Sequence, residues 1–259
     1  MSQKTVFIWI GAAILSTVAT AFIFLPASWL AFLLEKQTAG RLSLGEVQGS
    51  FWRGSAFVGG ASGINSPVTP LFPGRFSWRI SPMILLGQID VELENAAVLS
   101  SAAKLLGNLS QWRLAASSLS LSPERLEALG APLNTIGPSG QLRLNWNMLE
   151  FTRYAEKIDV TGSMQLTMID MASRLSSIKP LGSYQLSFDW RGQIADIVLA
   201  TTKGPMLLSG NGSLNGGRFQ FSGKAMAEVG QEEKLANLLN LLGQRRRDGD
   251  KDVIALEFK

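Results

Sequence analysis

Hydrophobic and polar residues alternate one by one along most of the chain after Gly40. The clearest case is Gln88–Glu94, in which Ile89, Val91 and Leu93 fall on one side of an extended chain and the polar residues on the other. This period of two is typical of a β-strand with one buried face. Similar alternation predicts further strands at residues 41–47, 74–80, 112–121, 141–148, 160–168, 184–190, 194–200, 206–214, 218–227 and 253–258. The pattern therefore predicts a mainly β protein with an antiparallel sheet.

Helical patterns are few in this part of the chain. Ser122 and Pro123 have the form of a helix start, and Gly130 has the form of a stop, so we expect a short helix between them. Residues 231–242 place leucines at helical spacing behind leading acidic residues, and the basic residues 245–247 follow. We therefore expect one or two short helices, the second of which covers an end of the sheet.

A long apolar run precedes the alternating part. No ionisable side chain lies between Thr5 and Leu34, and residues 6–25 supply the roughly 20 apolar positions that a helix needs to cross a bilayer. A cleaved signal peptide is the alternative, because Ala19–Ala21 has the A-x-A form, but the apolar run continues beyond it. The pattern favours a retained membrane anchor whose apolar positions include Val6, Phe7, Ile8, Trp9, Ile10, Ile14, Leu15, Val18, Phe22, Ile23, Phe24 and Leu25.

This anchor divides the chain into two parts. Residues 1–36 form the expected anchor, and residues 37–259 form one β-rich domain without a low-complexity linker. Basic residues near the two ends of the span are too few to set its orientation. An N-terminal anchor ahead of a large domain usually sends that domain outward, so we expect a single-pass inner-membrane protein with its bulk in the periplasm of a bacterium.

Composition excludes several classes of function. The chain has 259 residues, 46% of them hydrophobic and only 17% charged, with a formal net charge of +4. So small a charge argues against nucleic acid as the main partner. Cysteine and histidine are absent, which removes disulfides, thiolate and imidazole metal sites, and Ser-His or Cys-His catalysis. We expect no enzyme activity, no catalytic residue, no cofactor and no metal.

The remaining polar clusters do not change this expectation. Asp90, Glu92 and Glu94 share one face of a predicted strand, which is typical of a solvated outer surface. Residues 248–252 begin like a calcium loop, but Val253 replaces the glycine that such a loop requires. The arginines at 245–247 suit the end of the preceding helix better than a lipid-binding or partner-binding site.

One segment carries a family pattern of the form L-x-x-V-x-G-x-x-W-x-G-x-A. It is followed by a strand with a tryptophan, then by a proline and L-L-x-G. Together with the leucine-rich helix and the last apolar strand, this succession resembles the type II secretion system protein N family. The residues that carry the pattern are Gly49, Trp52, Gly54, Trp78, Pro82 and Gly87.

The resemblance implies an accessory inner-membrane protein of the machinery that exports folded proteins across the outer membrane. It also implies a β domain similar to the AsmA-like group, whose long curved sheets form a lipid-accepting groove. We expect the partners to be the inner membrane, other type II secretion components and, if the domain is a lipid-binding module, lipid.

Two functions fit these expectations. In the first, the domain is a periplasmic scaffold that uses its sheet edges to pair with another secretion component. In the second, it is an AsmA-like lipid-binding or lipid-transfer module with an apolar groove. The tryptophans fit both, although large aromatic residues in strands are mostly core residues. Trp52 lies between two glycines, and we expect its ring to close the first corner of the sheet.

Overall fold

The computed structural model describes residues 3–63, 66–248 and 251–258, and in this part of the chain seventeen strands form one antiparallel sheet. The α-helices are α1 (Gln3–Ile23), α2 (Ser28–Gln37), α3 (Leu133–Ile136) and α4 (Glu232–Leu242), and Pro82–Leu86 and Pro123–Leu129 are 3-10 helices. The strands are β1 (Leu42–Gly49), β2 (Arg53–Gly60), β3 (Thr69–Pro70), β4 (Phe76–Ile80), β5 (Gln88–Glu94), β6 (Ala103–Asn108), β7 (Gln111–Leu114), β8 (Ser117–Leu121), β9 (Pro138–Trp146), β10 (Leu149–Tyr154), β11 (Lys157–Ser173), β12 (Gly182–Gly192), β13 (Ile194–Lys203), β14 (Met206–Asn215), β15 (Arg218–Ala227), β16 (Gln244–Asp248) and β17 (Lys251–Phe258).

The sheet is a meander, because strands that follow one another in sequence lie side by side. β3 and β4 both pair with the same edge of β2. β7 and β8 are two parts of one interrupted strand, and β9 and β10 are two parts of the next one. β7 pairs with β10, and β8 pairs with β9. The order changes only at the end, where β17 pairs with β15 and β16 lies outside β17. β1 and β16 are therefore the two edges of the sheet.

The connections fall alternately at the two ends of the strands, since all the pairings are antiparallel. We call one end the turn rim; it carries residues 50–52, 81–87, 109–110, 155–156, 193 and 216–217, and the end of β17. We call the other end the loop rim; it carries the connections 61–63 with 66–68, 95–102, 122–137, 174–181, 204–205 and 228–243. Most connections at the loop rim are consequently longer than those at the turn rim.

The alternation separates an apolar face from a polar face across many strands. Trp146, Met164, Phe188 and Ile197 face one another in a row from β9 to β13. The neighbouring row on the opposite face contains Asn145, Gln165 and Ser187. Only part of the apolar row is buried: Ile197 is fully buried, whereas Trp146, Met164 and Phe188 stay half-buried. The apolar face is thus continuous but not completely covered.

The helices α2 and α4 cover the two ends of the apolar face. α2 lies along β1, and Leu30 packs onto the cluster formed by Ala27, Ala56 and Trp78. α4 packs onto β15 and β17 with its buried leucines Leu235, Leu238 and Leu239, which contact Leu181, Met206, Ala225 and Ile254. These helices bury the two ends of the apolar face.

The segment Pro123–Leu129 shows that the sheet curves. It contacts β2, β3 and β9 at the loop rim, although about 24 Å would separate β2 from β9 across five strand spacings of a flat sheet. The Arg125 guanidinium donates to the Pro70 carbonyl at 3.1 Å and fixes one side of this bridge. Wide antiparallel sheets twist and curl in this way.

Tyr184 marks the buried side of the α4 end of the sheet. Its hydroxyl donates to the Met206 carbonyl at 3.1 Å, and its side chain is almost completely buried. Burial raises the pKa of Tyr184 to about 12, because the phenolate would lose its hydration. Tyr184 therefore remains a neutral hydrogen-bond donor at neutral pH.

The mainly β, antiparallel class is confirmed, but a membrane-spanning helix is not. In the residues that the structure describes, no helix is both long enough and apolar enough to cross a bilayer. The predicted anchor does form the helix α1, and Trp9, Ile10, Ile14, Phe22, Ile23 and Phe24 are exposed on it or directly after it, with Leu25 half-exposed. The side chains of Val6, Phe7, Ile8, Leu15 and Val18 lie outside the described part of the structure.

Of two predictions about local structure, one is confirmed and one needs correction. The predicted short helix after Ser122 is confirmed as the 3-10 helix Pro123–Leu129, which ends at Gly130 as expected. The arginines at 245–247 are not a helix end but belong to the edge strand β16, since Gly243 ends α4 and the chain then pairs with β17. Tertiary pairing therefore overrides the local charge pattern here.

Candidate functional site

The family-pattern residues gather where the β1–β2 hairpin meets the N-terminal helices. Gly49 has a φ of +87°, and a Cβ there would lie 2.4 Å from the Arg53 carbonyl oxygen. A Cβ on Gly54 would lie 2.5 Å from the ring of Trp78. Neither position has room for a side chain, so the two glycines allow the hairpin to close tightly against Trp78.

Trp52 connects this hairpin to the end of α1. Its indole Nε1 donates to the Phe22 carbonyl at 2.9 Å, and its ring packs against Phe22 and Phe51 with centroids 5.4 Å and 5.2 Å away. The last carbonyls of a helix have no partner within the helix, so this indole caps the end of α1. Trp52 is buried. Its ring thus closes the corner between the sheet and α1.

Backbone hydrogen bonds hold the linker between α1 and α2 at the same place. The Phe51 amide donates to the Leu25 carbonyl at 2.8 Å, and the Ala27 amide donates to the Gly49 carbonyl at 3.3 Å. Between these bonds, Pro26 and Ser50 form an isolated bridge. The hairpin turn consequently fixes where the N-terminal segment leaves the sheet.

Trp78 packs against the hairpin on the buried face of the sheet. Its Nε1 donates to the Phe51 carbonyl at 3.0 Å, and its ring packs in a buried cluster with Ala27 and Ala56. The ring also passes directly beneath Gly54, as the short distance above shows. One side chain therefore joins the hairpin turn, the start of α2 and the sheet.

Pro82 and Gly87 stand at the two ends of a short apolar segment that projects from the turn rim. Pro82 begins the 3-10 helix, and Gly87 ends it with a left-handed φ of +84°. Between them, Leu85 and Leu86 are exposed, the latter by 75%. Two large apolar side chains thus stand at the end of the sheet next to α1.

A cleft of about 790 Å³ lies between this projection and the end of α1. Its apolar wall contains Ile23, Trp52 and Leu85, and Arg53 and Arg79 lie at its polar side. The remaining lining residues are Phe22, Ser50, Ile80, Ser81, Pro82 and Asp90. Four of the six pattern residues therefore build the joint, Pro82 lines the cleft together with Trp52, and Gly87 ends the turn that carries Leu85 and Leu86.

The acidic residues of β5 lie on the polar face, and their neighbours are basic. Glu92 faces Arg79 on one side and Lys104 on the other, with a Lys104 Nζ–Glu92 Oε1 distance of 2.9 Å. Hydrogen bonds from Lys104 and Arg79 lower the pKa of Glu92. Such a carboxylate is ionised at neutral pH and is unsuited to be a general acid. Within the described ranges, no three acidic side chains are placed to hold a metal ion.

Sequence reasoning did not find the contacts between the hairpin and the helix linker. The partners of Trp52 and Phe51 are carbonyl groups at positions 22 and 25, about thirty residues away. Backbone carbonyls carry no side-chain signal, so no motif pointed to them. The glycine pair around Trp52 was the one available indication of a tight corner.

The hairpin predicts a strong effect of one added methyl group. We expect Gly54→Ala to destabilise the fold by about 1–3 kcal/mol, because the new Cβ overlaps the Trp78 ring and the Gln48 carbonyl. Gly45→Ala on the neighbouring strand is the matched control, since its Cβ meets nothing within 4 Å. Urea unfolding followed by circular dichroism measures both variants. Equal stability of the two variants would show that the hairpin relaxes freely.

Comparison with known proteins gives one result. No curated protein and no solved structure matches this chain significantly. The family model for type II secretion system (T2SS), protein N matches residues 40–253. This match covers most of the chain, including the hairpin, the cleft strands and α4. The chain therefore belongs to the type II secretion system protein N family.

Proposed function

We propose that this protein is an accessory component of the type II secretion system and acts as a scaffold rather than as an enzyme. The family match over residues 40–253 is the observation that carries the proposal. The wide sheet supports it, since it offers long edges and faces to other proteins. The polar face supports it also, because its charged residues pair with one another instead of converging on a reaction site.

We propose further that residues 1–36 hold the protein at the inner membrane and that residues 37–259 lie in the periplasm. The apolar run at residues 6–25 supports this location. Trp9, Ile10 and Phe24 support it too, because such large apolar side chains are exposed on or just after α1 and need an apolar neighbour. The joint at Trp52 then transmits the position of α1 to the sheet.

The edge β1 is a poor docking strand because α2 lies along it and a bulge interrupts it. The hydroxyl of Thr38 bonds both the amide and the carbonyl of Leu42, at 3.1 Å and 3.3 Å. Arg75 bonds the carbonyl of Glu46, where a positive φ of +49° makes a bulge. A bulge and a covering helix both hinder the pairing of a further strand with this edge.

The edge β16 is the better candidate for a partner strand. Within the described residues, β16 pairs with β17 on one side, and no strand pairs with its other side. The strand is basic, with arginines at three successive positions; Arg246 is 68% exposed and pairs with Glu257 of the same sheet at 3.2 Å. A partner strand with acidic side chains fits this edge, because opposite charges on adjacent strands attract. We propose that another secretion component supplies that strand.

Photo-crosslinking in cells tests this proposal. A photoreactive amino acid in place of Arg246 is expected to give adducts with secretion components, whereas one in place of Glu46 on the edge β1 is expected to give few. Both positions are exposed edge residues, so the comparison controls for accessibility. A deletion strain complemented with each variant shows whether secretion depends on the same edge. Equal adducts at both edges, or none at β16, would contradict the proposed docking edge.

Lipid binding in the apolar face is a second candidate that one observation favours. The Trp190 Nε1 is buried and has no hydrogen-bond partner within the described part of the protein. A lipid ester carbonyl on the apolar face would accept that hydrogen bond. Extraction of the gently purified protein tests this reading: stoichiometric phospholipid supports it, and lipid-free protein contradicts it.

A further inference from the structure

The turn rim carries large apolar side chains that the sheet leaves exposed. Leu86 is 75% exposed, Tyr154 62% and Phe219 44%, and each stands at or beside a different turn. Leu85, Leu109, Ile194 and Phe258 are exposed at the same end of the sheet. These turns are far apart in sequence, but the meander places them in one row. Exposed apolar groups in such a row mark an interaction surface.

Basic residues stand between these apolar side chains. Arg53 follows the first turn, Lys157 follows the turn at 155–156, and Arg218 follows the turn at 216–217, and all three are exposed. Acidic residues lie at this rim too: Glu156 stands in the turn at 155–156, and Arg191 pairs with Asp189 and Asp196 beside the turn at 193. Exposed basic side chains therefore stand beside three turns of this rim, within a surface of mixed charge.

The turn rim also adjoins the apolar N-terminal segment. The end of α1 and Leu85 line the same cleft, and Trp52 holds the Phe22 carbonyl at this rim. Ile23 and Phe24 continue the exposed apolar surface beyond the cleft. The exposed apolar side chains at the end of α1 therefore adjoin the first turns of the sheet.

We propose that the turn rim rests on the surface of an anionic lipid bilayer. Apolar side chains enter the boundary between headgroups and acyl chains, and basic residues at the same level attract anionic headgroups. Both kinds of residue stand along this rim. In this arrangement the strands stand on the membrane and the loop rim points away from it. This inference concerns a lipid surface and does not depend on the role in secretion.

Depth-dependent quenching tests the proposal with the full-length chain. The chain has no cysteine, so single substitutions give uniquely labelled proteins. A bimane label is placed at Leu86→Cys, at Phe219→Cys or at Val229→Cys, and each protein is reconstituted into vesicles of phosphatidylethanolamine and phosphatidylglycerol with brominated acyl chains. Val229 is the control, because it is apolar and 84% exposed but lies at the loop rim.

We expect the labels at positions 86 and 219 to be quenched at least threefold more than the label at position 229. The label at position 219 shows whether the rim far from α1 contacts lipid, since this position lies many strands away from α1. If only position 86 is quenched, the lipid reaches α1 alone and the proposal is wrong. If no rim label is quenched, the rim binds no bilayer and its occupant is a protein.

Charge substitution separates the basic residues from the apolar ones. We expect the triple variant Arg53→Gln, Lys157→Gln and Arg218→Gln to halve the quenching at position 219 in vesicles with phosphatidylglycerol. The triple variant Arg143→Gln, Lys179→Gln and Lys203→Gln removes the same charge from exposed positions away from the turn rim and is expected to leave the quenching unchanged. Equal effects of both triple variants would show a net-charge effect only and would overturn the assignment of these three residues.

Discussion

Trp78→Ala is expected to reduce the free energy of unfolding by about 3–5 kcal/mol, as is typical when a core tryptophan site is emptied. Trp78 is only 9% exposed, and its ring fills the space between Ala27, Ala56 and the backbone of Gly54. The variant also loses the hydrogen bond to the Phe51 carbonyl, which leaves that carbonyl partly buried without its donor. Since the free energy of unfolding of a domain is usually only about 5–15 kcal/mol, this single change removes a large fraction of it.

The measurement compares urea unfolding of Trp78→Ala and Trp29→Ala by circular dichroism in one detergent. Trp29 is 53% exposed on α2, so its truncation removes a tryptophan without opening a cavity. We expect the control to change stability by less than about 0.5 kcal/mol. A small effect of Trp78→Ala would mean that the ring does not hold the hairpin and α2 together. The role of the joint would then have to be assigned to Trp52.

Leu235→Ala is expected to cost about 2–5 kcal/mol, because Leu235 is completely buried between α4 and the sheet. Its neighbours Met206, Ala225 and Ile254 come from three different strands, so they are unable to collapse together into the cavity. α4 is short, and most of its stability comes from this packing rather than from its own hydrogen bonds. We therefore expect α4 to detach at lower urea concentration than the rest of the sheet unfolds.

Leu241→Ala on the same helix is the matched control. Leu241 is 69% exposed, so the same substitution removes almost no buried surface. We expect less than about 0.5 kcal/mol from it, since alanine also favours the helix slightly. Hydrogen exchange on α4 measures local detachment for both variants. Similar protection in the two variants would rule out packing at Leu235 as the main source of the stability of α4.

Alternation predicted the strands that have one apolar face and failed where that pattern is broken. Gln88–Glu94 and Arg218–Ala227 have the observed bounds, because each alternates over its full length. β6 was missed, since Leu105 and Leu106 are adjacent and point to opposite faces. β16 was missed as well, because it contains no apolar residue at all. Its strand conformation comes from pairing with β17.

The candidate joint was predictable only in part. The glycines at 49 and 54 indicated a tight turn around Trp52, and the structure shows why no side chain fits there. The partner of the indole was not predictable, because a backbone carbonyl of α1 has no sequence signature. Likewise, nothing local indicated that turns from 51 to 217 form one row, since that row depends on the antiparallel order of all the strands.

The sequence by itself determined the β class, the apolar N-terminal segment, the family pattern and the absence of thiol and imidazole chemistry. These follow from residue type and spacing, which act within a few neighbours along the chain. The tertiary structure alone decided which edge stays open, which carbonyl Trp52 caps and which side chains gather at the turn rim. Each of these depends on contacts between segments that are distant in sequence, and the free energy of those contacts is set only when the whole sheet has assembled.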